Sequence, residues 1–337
     1  MINSNDSVFN KIISVNVLLI GIFVFGYLLK LGAKILIPFT FAIFLTILIF
    51  SIYKRLKGKN VHKFFIILIM IFGFFGVGYF IYSIVRINYY SFLKEIPIYE
   101  YKFQTLFSSL SDIALKYDLK FENPISNING QELMGSVFNT FRGFGTMIVM
   151  IVIYCAFFIF EKKNLYNKFV NIFGNKHEKT LVTIRENLED YILFKTFISL
   201  MTGLATYLVL LLFGVKFAIL WGLMTFLLNF IPTLGSIIAV IIVFLFALLQ
   251  FTSFFIPVSL LILLSVVQFF FGNFLDPKMI GDKLNLSPII IILSVIIMGA
   301  LWGGVGMFLA VPMISTINII CQEIPAMKIV HYILRKD

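Results

Sequence analysis

Apolar stretches long enough to cross a lipid bilayer recur through most of this sequence. A spanning α-helix needs about 20 consecutive, mostly apolar residues. Runs that approach or exceed this length occupy positions 12–29, 35–52, 64–85, 143–160, 192–213, 217–250, 254–271 and 287–320. Only 13% of the 337 residues are charged, which is too few to coat a soluble protein of this size. We therefore predict an all-α, polytopic integral membrane bundle with about eight transmembrane segments.

The basic residues predict the topology of this bundle. Lys and Arg exceed Asp and Glu by 11, and such an excess is typical of the cytoplasmic loops of membrane proteins. The basic loop 53–63 and the basic stretch 161–190 are therefore expected in the cytoplasm, together with both termini. This bias explains the net charge without a nucleic-acid partner.

One long polar segment, residues 86–142, interrupts the apolar runs. Its acidic and basic residues nearly balance, which favours an external location. Apolar and aromatic residues recur within it at alternating steps of four and three, which places them on one face of a helix. They are Tyr99, Phe103, Leu106, Leu110, Ile113 and Tyr117. This stripe either packs on the protein's own spans or forms a subunit contact in a homo-oligomer.

The sequence therefore divides into three parts. Residues 1–85 are predicted to form three transmembrane helices, residues 86–142 an external amphipathic helical segment, and residues 143–337 a C-terminal transmembrane bundle.

Two apolar runs in the C-terminal half, 217–250 and 287–320, are broken by helix-disfavouring residues. Those residues include Pro232 and Gly235 in the first run and Gly303, Gly304, Gly306 and Pro312 in the second. Each run is either one kinked, tilted helix or a re-entrant pair of half-helices. The order of span, broken run, span and broken run is also that of an inverted repeat, which many transporters contain.

Three motifs follow one another in this half. They are Leu228-Asn229-Phe230-Ile231-Pro232-Thr233-Leu234-Gly235-Ser236, then Asp276-Pro277-Lys278-Met279-Ile280-Gly281 with Leu284-Asn285-Leu286-Ser287-Pro288, then Leu301-Trp302-Gly303-Gly304-Val305-Gly306-Met307 with Leu309-Ala310-Val311-Pro312. In order and spacing they resemble the motifs of the autoinducer-2 exporter family of bacterial permeases, most sharply over residues 188–320. The resemblance implies a multi-pass, oligomeric permease of the bacterial cytoplasmic membrane. Members are assigned the export of autoinducer-2 or the exchange of sodium or lithium for protons.

Polar groups within the apolar runs are candidates for a transport pathway, because polar side chains in hydrocarbon tend to face a cavity or the bundle interior. Asn229 either lines such a pathway or caps carbonyl groups freed by Pro232. Gln268 and Asn273 either line it or join helices by hydrogen bonds. The candidates for the pathway or for helix breaks are Asn229, Pro232, Gly235, Gln268, Asn273, Asp276, Pro277, Gly281, Pro288, Gly303, Gly304, Gly306 and Pro312.

Asp276 is the acidic residue that follows most directly on an apolar span, so we single it out as an ion- or proton-linked group. Burial beside a span would disfavour its charged form. Alternatively, the nearby Lys278 holds Asp276 ionised in a salt bridge, or Asp276 caps a helix before Pro277.

Enzymatic activity is not expected, because the sequence has no H-E-x-x-H, G-x-S-x-G or P-loop motif. Two distant cysteines and three histidines in predicted loops or tails indicate neither a metal site nor a cofactor. We predict a permease that exports a small polar solute such as autoinducer-2. The alternatives are a sodium or lithium/proton antiporter and, in another class, a membrane scaffold that transports nothing. The expected partners are membrane lipids, the solute or a monovalent cation and proton, and further copies of the chain.

Overall fold

The computed structural model describes residues 4–56, 63–116, 135, 147–161, 164, 168, 178–280 and 285–336. Its α-helices are α1 (Ser4–Leu31), α2 (Ala33–Leu56), α3 (Lys63–Leu115), α4 (Met147–Glu161), α5 (Glu178–Leu212), α6 (Ala218–Leu228), α7 (Leu234–Gln250), α8 (Phe255–Phe269), α9 (Asp276–Ile280), α10 (Pro288–Glu323) and α11 (Lys328–Leu334). A π-helical turn, Phe270–Leu275, joins α8 to α9, and a 3-10 turn, Pro325–Met327, precedes α11. The predicted all-α architecture is confirmed.

The chain forms two compact units, each assembled from separate stretches of sequence. Unit 1 comprises Met1–Thr46, Ile153–Ile184 and Asn285–Asp337, and unit 2 comprises Ile47–Val152 and Arg185–Leu284. The predicted division into three consecutive parts concerns membrane topology and stays a prediction.

The helices have the length and surface of membrane-embedded elements. Those long and apolar enough to cross a bilayer contain Ala33–Phe50, Thr180–Leu212 and Phe255–Leu275. Pro288–Glu323 reaches this length as well, but a break at Gly303 divides it into two arms. Shorter apolar helices cover Leu19–Leu31, Met147–Glu161, Ala218–Leu228 and Leu234–Gln250. Large apolar side chains are exposed on them, including Phe160 and Leu212 at more than four fifths of their surface. Lipid is the solvent that such a surface requires.

Helix α3 is longer than the predicted span 64–85. Its 53 residues extend about 80 Å, far beyond the roughly 30 Å of a hydrocarbon core. The span and the start of the polar segment 86–142 are therefore one helix. On its predicted stripe, Tyr99 is buried and its ring lies 5.4 Å from that of Phe246, so here the stripe packs within the protein's own unit 2. The side chains of Leu106, Leu110 and Ile113, and all of Tyr117, lie outside the described residues.

Helices α6 and α7 form an antiparallel pair, which we call hairpin A. The side-chain amide of Gln250, at the end of α7, donates to the carbonyl oxygen of Gly214 at 2.8 Å and accepts from the backbone N–H of Lys216 at 2.8 Å. Both partners lie just before α6, so the end of α7 lies beside the start of α6. The 11 residues of α6 extend only about 16 Å, so this arm is too short to cross the roughly 30 Å of a hydrocarbon core.

The tip of hairpin A is a tight turn between Leu228 and Leu234. The backbone N–H of Leu234 donates to the carbonyl oxygen of Pro232 at 2.6 Å across a single residue. A Cβ atom on Gly235 would collide with the carbonyl group of Leu228, so only glycine allows α7 to start this close to the end of α6.

Helix α10 also folds back on itself. Gly303 has φ 64° and ψ −149°, a conformation that is essentially restricted to glycine. A Cβ atom on Gly306 would collide with the carbonyl group of Met298, although residues eight apart in a continuous helix are separated by about 12 Å. The Asn318 side chain donates to the carbonyl oxygen of Asn285 at 3.2 Å, so the two ends meet.

We call the folded-back α10 hairpin B, with arms 288–302 and 304–323. Of the two structures that the sequence left open for each broken run, the chain therefore adopts the re-entrant pair in both.

Candidate transport site

One face of α5 is polar and buried, although the helix as a whole is apolar. Its members recur at steps of four, four, three and four, which keeps them on one side of the helix. They are Tyr191, Lys195, Ser199, Thr202 and Thr206, and every one is buried. We call this set the polar face of α5. Burying so many polar groups costs free energy unless each one has a partner or a function.

The charged member of this face pairs with the predicted site residue Asp276. The Nζ atom of Lys195 lies 2.6 Å from Oδ2 of Asp276, and only 4% of the Lys195 side chain and 21% of the Asp276 side chain are exposed. Removing one partner of such a pair leaves an uncompensated buried charge, at a cost of about 3–5 kcal/mol.

Lys278 does not form the salt bridge with Asp276 that the sequence offers as one alternative. Its ammonium group lies 5.7 Å from the centre of the Phe274 ring. Lys195, which is 81 residues earlier in the chain, takes its place beside Asp276. The reason is helical geometry: residues two positions apart on a helix do not face each other.

Three buried oxygen atoms near this pair and along α8 have no hydrogen-bond partner within the part of the chain that the structure describes. They are Oδ1 of Asp276, the hydroxyl of Tyr191 and Oε1 of Gln268. Buried polar groups without a partner are rare in native proteins, and water, an ion or a ligand can supply the missing hydrogen bond.

Gln268 precedes Asp276 by about 12 Å of helical rise on α8 and the π-helical turn. Hairpin A returns the chain to the end of α5, so α8 runs antiparallel to α5. Asp276 lies level with Lys195, and Gln268 therefore lies further along α5 in the direction of Thr202. The polar groups of α8 and the polar face of α5 thus extend over the same depth of unit 2.

The π-helical turn Phe270–Leu275 lies directly before Asp276. Its i→i+5 geometry turns the following residues to a different side from the one a regular helix would give them, and such turns are frequent at functional sites. Asn273 lies within this turn and is exposed, so it is separate from the buried groups. The side chain of Pro277 and all of Gly281 lie outside the described residues.

The tip of hairpin A reaches the polar face of α5. The side-chain amide of Asn229 donates to the hydroxyl oxygen of Ser199 at 3.0 Å, and both residues are buried. Asn229 also ends α6, where its backbone N–H donates to the carbonyl of Thr225. The contact is possible because α5 and α6 cross closely: a Cβ on Gly203 would lie 2.8 Å from the carbonyl oxygen of Gly222.

The remaining predicted site residues lie in unit 1, on hairpin B. Pro288 is exposed at the start of its first arm, where proline is favoured. Gly303, Gly304 and Gly306 form its tip, and Pro312 is buried in its second arm. These residues shape hairpin B, whereas the buried polar groups described above belong to unit 2.

Sequence reasoning missed Lys195, Tyr191 and Ser199. A single lysine within the otherwise apolar run 192–213 was the available signal, because an ionisable residue in a span is by itself a functional candidate. Tyr191 and Ser199 carry no comparable signal, since tyrosine and serine are common in transmembrane helices.

Known proteins resemble this chain over nearly its whole length. A protein of Haemophilus influenzae named "Putative transport protein" is 28% identical over 309 residues, which cover 88% of each chain. A protein of the same name from Borreliella burgdorferi is 26% identical over 333 residues, covering 96% of this chain and 89% of its own. The AI-2 transport protein TqsA of Escherichia coli K12 is 24% identical over 302 residues, covering 88% of each chain.

The AI-2E family transporter model matches residues 13–326, which include the spans, both hairpins and the Lys195–Asp276 pair. The names of these relatives indicate a transporter rather than an enzyme. The apolar helices and this match together identify the chain as a bacterial membrane protein that belongs to the AI-2E transporter family.

Proposed function

We propose that this protein moves a small polar solute across the bacterial cytoplasmic membrane along the polar face of α5. The observation that carries the proposal is the buried ion pair Lys195–Asp276, beside oxygen atoms on Asp276, Tyr191 and Gln268 that have no partner among the described residues. A solute with several hydroxyl groups would supply the hydrogen bonds that these atoms lack.

The re-entrant hairpins support a transport role. In transporters, broken helices place their polar ends near the bilayer midplane, where the substrate binds. Asn229 at the tip of hairpin A contacts Ser199, which is about 20 Å along α5 from its end at Leu212. The candidate path would therefore meet the tip of hairpin A well inside the membrane.

Autoinducer-2 is the first solute to test, because one relative of this chain is named for its transport. Purified protein would be reconstituted into liposomes and the release of loaded autoinducer-2 followed. We expect release from liposomes that hold the native protein, and a loss of at least about tenfold for Asp276→Asn, which removes one charge of the buried pair.

Lys278→Met is the matched control, since Lys278 is charged and close in sequence but pairs with the Phe274 ring. It should keep native release. Equal release from native protein and Asp276→Asn at matched incorporation would contradict a role of this site in transport. Release from neither would favour a scaffold without transport.

Exchange of sodium or lithium for protons is the second candidate. The observation that favours it is Oδ1 of Asp276, a carboxylate oxygen that no described residue contacts by a hydrogen bond and that a cation or a proton could therefore bind. Liposomes with an internal pH dye would report proton movement when sodium is added outside. A response that Asp276→Asn abolishes would favour exchange over solute export.

We also propose a homo-oligomer with both termini in the cytoplasm. Hairpin A returns the chain to the side where α5 ends, and a single crossing by α8 then takes it to the opposite, cytoplasmic side. A cysteine introduced at position 282 should therefore be protected from impermeant reagents in intact cells, whereas one at position 109 should react. Reaction at position 282 would contradict this topology, and crosslinking in membranes would test the oligomer.

A further inference from the structure

We infer that Lys195 is the residue that determines charge selectivity in this protein: by neutralising Asp276 it restricts the path to neutral polar solutes. This inference rests on the proposed transport function and specifies the class of solute. Its basis is the 2.6 Å contact between the two side chains, both largely withdrawn from solvent, on helices that are 81 residues apart in sequence.

The other polar groups along this path carry no charge. The rest of the polar face of α5 consists of hydroxyl groups, and Asn229 and Gln268 contribute amides. Glu189 and Asp190 lie on the same helix but point elsewhere. At about 100° per residue they are roughly 120° and 140° around α5 from Lys195, and each has interactions of its own. Among the described residues, the charge balance of the path therefore depends on Lys195 and Asp276.

A single charge in a path of low dielectric attracts ions of opposite sign and repels ions of the same sign. Two opposite charges 2.6 Å apart largely cancel at the distance of an approaching ion. With both residues present, the path attracts neither cations nor anions. No net charge then offsets the free energy that an ion loses when it leaves water. Asp276 without Lys195 would attract cations, and Lys195 without Asp276 would attract anions.

The experiment compares three probes in liposomes that hold the purified, full-length protein. The probes are radiolabelled ribose, sodium and chloride. Native protein should admit ribose and exclude both ions. Lys195→Met should raise sodium uptake at least about tenfold, and Asp276→Asn should raise chloride uptake by a similar factor.

The double variant Lys195→Met/Asp276→Asn distinguishes charge selectivity from structural damage. It removes both charges, so both ion fluxes should return to native levels. A pair that serves only to hold helices together would leave the double variant at least as leaky as the single ones. Lys278→Met is the control for the loss of a nearby positive charge outside the path, and it should match the native protein for all probes.

Several results would overturn the inference. Sodium uptake by the native protein would overturn the inference but not the proposed transport function. The same holds for a folded Lys195→Met variant that excludes sodium as well as the native protein does. Native protein that moves none of the probes, nor autoinducer-2, would overturn the proposed function as well. If Lys195→Met does not fold, the charge exchange Lys195→Asp/Asp276→Lys replaces it. This variant should still exclude both ions, and sodium uptake by it would overturn the inference.

Discussion

The tip of hairpin A places a threonine at positive φ, whereas the tip of hairpin B places a glycine there. Thr233 has φ 60° and ψ −58° inside the turn that joins Pro232 to Leu234, and Gly303 has φ 64° and ψ −149°. Glycine adopts such angles freely, but a β-branched residue is strained by about 1–3 kcal/mol. The turn beside the candidate site is therefore the strained one.

The tips also differ in what they contact. Hairpin A directs the Asn229 amide to the hydroxyl of Ser199 within unit 2. Hairpin B directs the indole N–H of Trp302 to the carbonyl oxygen of Leu29, near the end of α1 in unit 1, at 2.9 Å. A hydroxyl can change its hydrogen-bond partner by rotation, whereas a main-chain carbonyl is fixed by its helix. The contact of hairpin A is therefore the easier one to exchange for a solute.

The bases of the hairpins are held by different forces. At the base of hairpin A, the Lys216 ammonium lies 2.9 Å from a Glu95 carboxylate oxygen, and the Lys102 ammonium donates to the carbonyl of Gln250 at 2.8 Å. At the base of hairpin B, Ser287 donates its backbone N–H to the carbonyl of Leu334 in α11 at 2.9 Å. Charged pairs respond to pH and salt, so the two bases should differ in this respect.

The largest effect is expected at the glycine that each hairpin needs for the close approach of its two arms. Gly235→Ala and Gly306→Ala each drive a Cβ atom into a main-chain carbonyl, of Leu228 and Met298 respectively. Because backbone has to move, we expect each variant to lose about 3 kcal/mol or more, and little folded protein. Gly304→Ala is the control, since its Cβ would meet open space. Size-exclusion profiles and thermal unfolding in detergent measure this, and native stability of Gly235→Ala would contradict the closed tip.

The next prediction tests the difference in tip strain directly. Thr233→Gly should stabilise the protein by about 1 kcal/mol, because relief of strain exceeds the added flexibility of the unfolded chain. Gly303→Ala should destabilise it by about 2 kcal/mol, although the space around that position is open. Thermal unfolding of both variants shows whether each one is more or less stable than the native protein. Destabilisation by Thr233→Gly would mean that the threonine side chain makes a contact that outweighs its strain.

A smaller effect is expected at the base of hairpin B. The buried His331 ring lies with Nδ1 2.8 Å from Oδ1 of Asn318, whose amide reaches Asn285 in the other arm. His331→Ala leaves Asn318 partly unpaired and should cost about 1–2 kcal/mol. Tyr332→Ala, at an exposed neighbour on α11, is the control. Limited proteolysis should release α11 faster in His331→Ala than in Tyr332→Ala. Equal release in both would mean that the contact between His331 and Asn318 does not hold α11 in place.

The smallest effect concerns pH at the base of hairpin A. Burial alone would raise the pKa of Glu95, but hydrogen bonds from Tyr99 and Lys216 hold that pKa below its ordinary value of 4.5. The contribution of Glu95 to the free energy of unfolding is therefore complete above the pKa of the unfolded state, and it is lost as pH falls through the lower pKa of the folded state. Because Lys216 is half exposed, we expect about 0.5 kcal/mol or less. Unfolding of native protein and Glu95→Gln at pH 3 to 7 checks this, and parallel curves would contradict it.

The sequence predicted the helices, the breaks and the family, because these depend on local properties. Apolar length indicates a span, and Pro232, Gly235 and Gly303 disfavour a continuous helix wherever they occur. The sequence also singled out Asp276 as an unusual acidic residue at the end of a span. Whether these residues carry transport stays a prediction.

The direction of the chain at each break, and the partners of each buried polar group, were decided by tertiary structure. Neither broken run reveals in its own residues whether it kinks or returns, since a glycine permits both. One alternative predicted for Asp276, a salt bridge with Lys278 two residues away, is wrong, because Asp276 pairs with Lys195. His331 is predicted to lie in a tail, whereas the structure buries its ring in α11 against Asn318.

Such pairings join residues far apart in the chain, 81 positions for Lys195 and Asp276. Local propensity fixes which helices form and where they end. Which of their faces meet depends on how several helices pack at once, and in lipid that packing is governed by close contact and hydrogen bonds rather than by the burial of apolar surface.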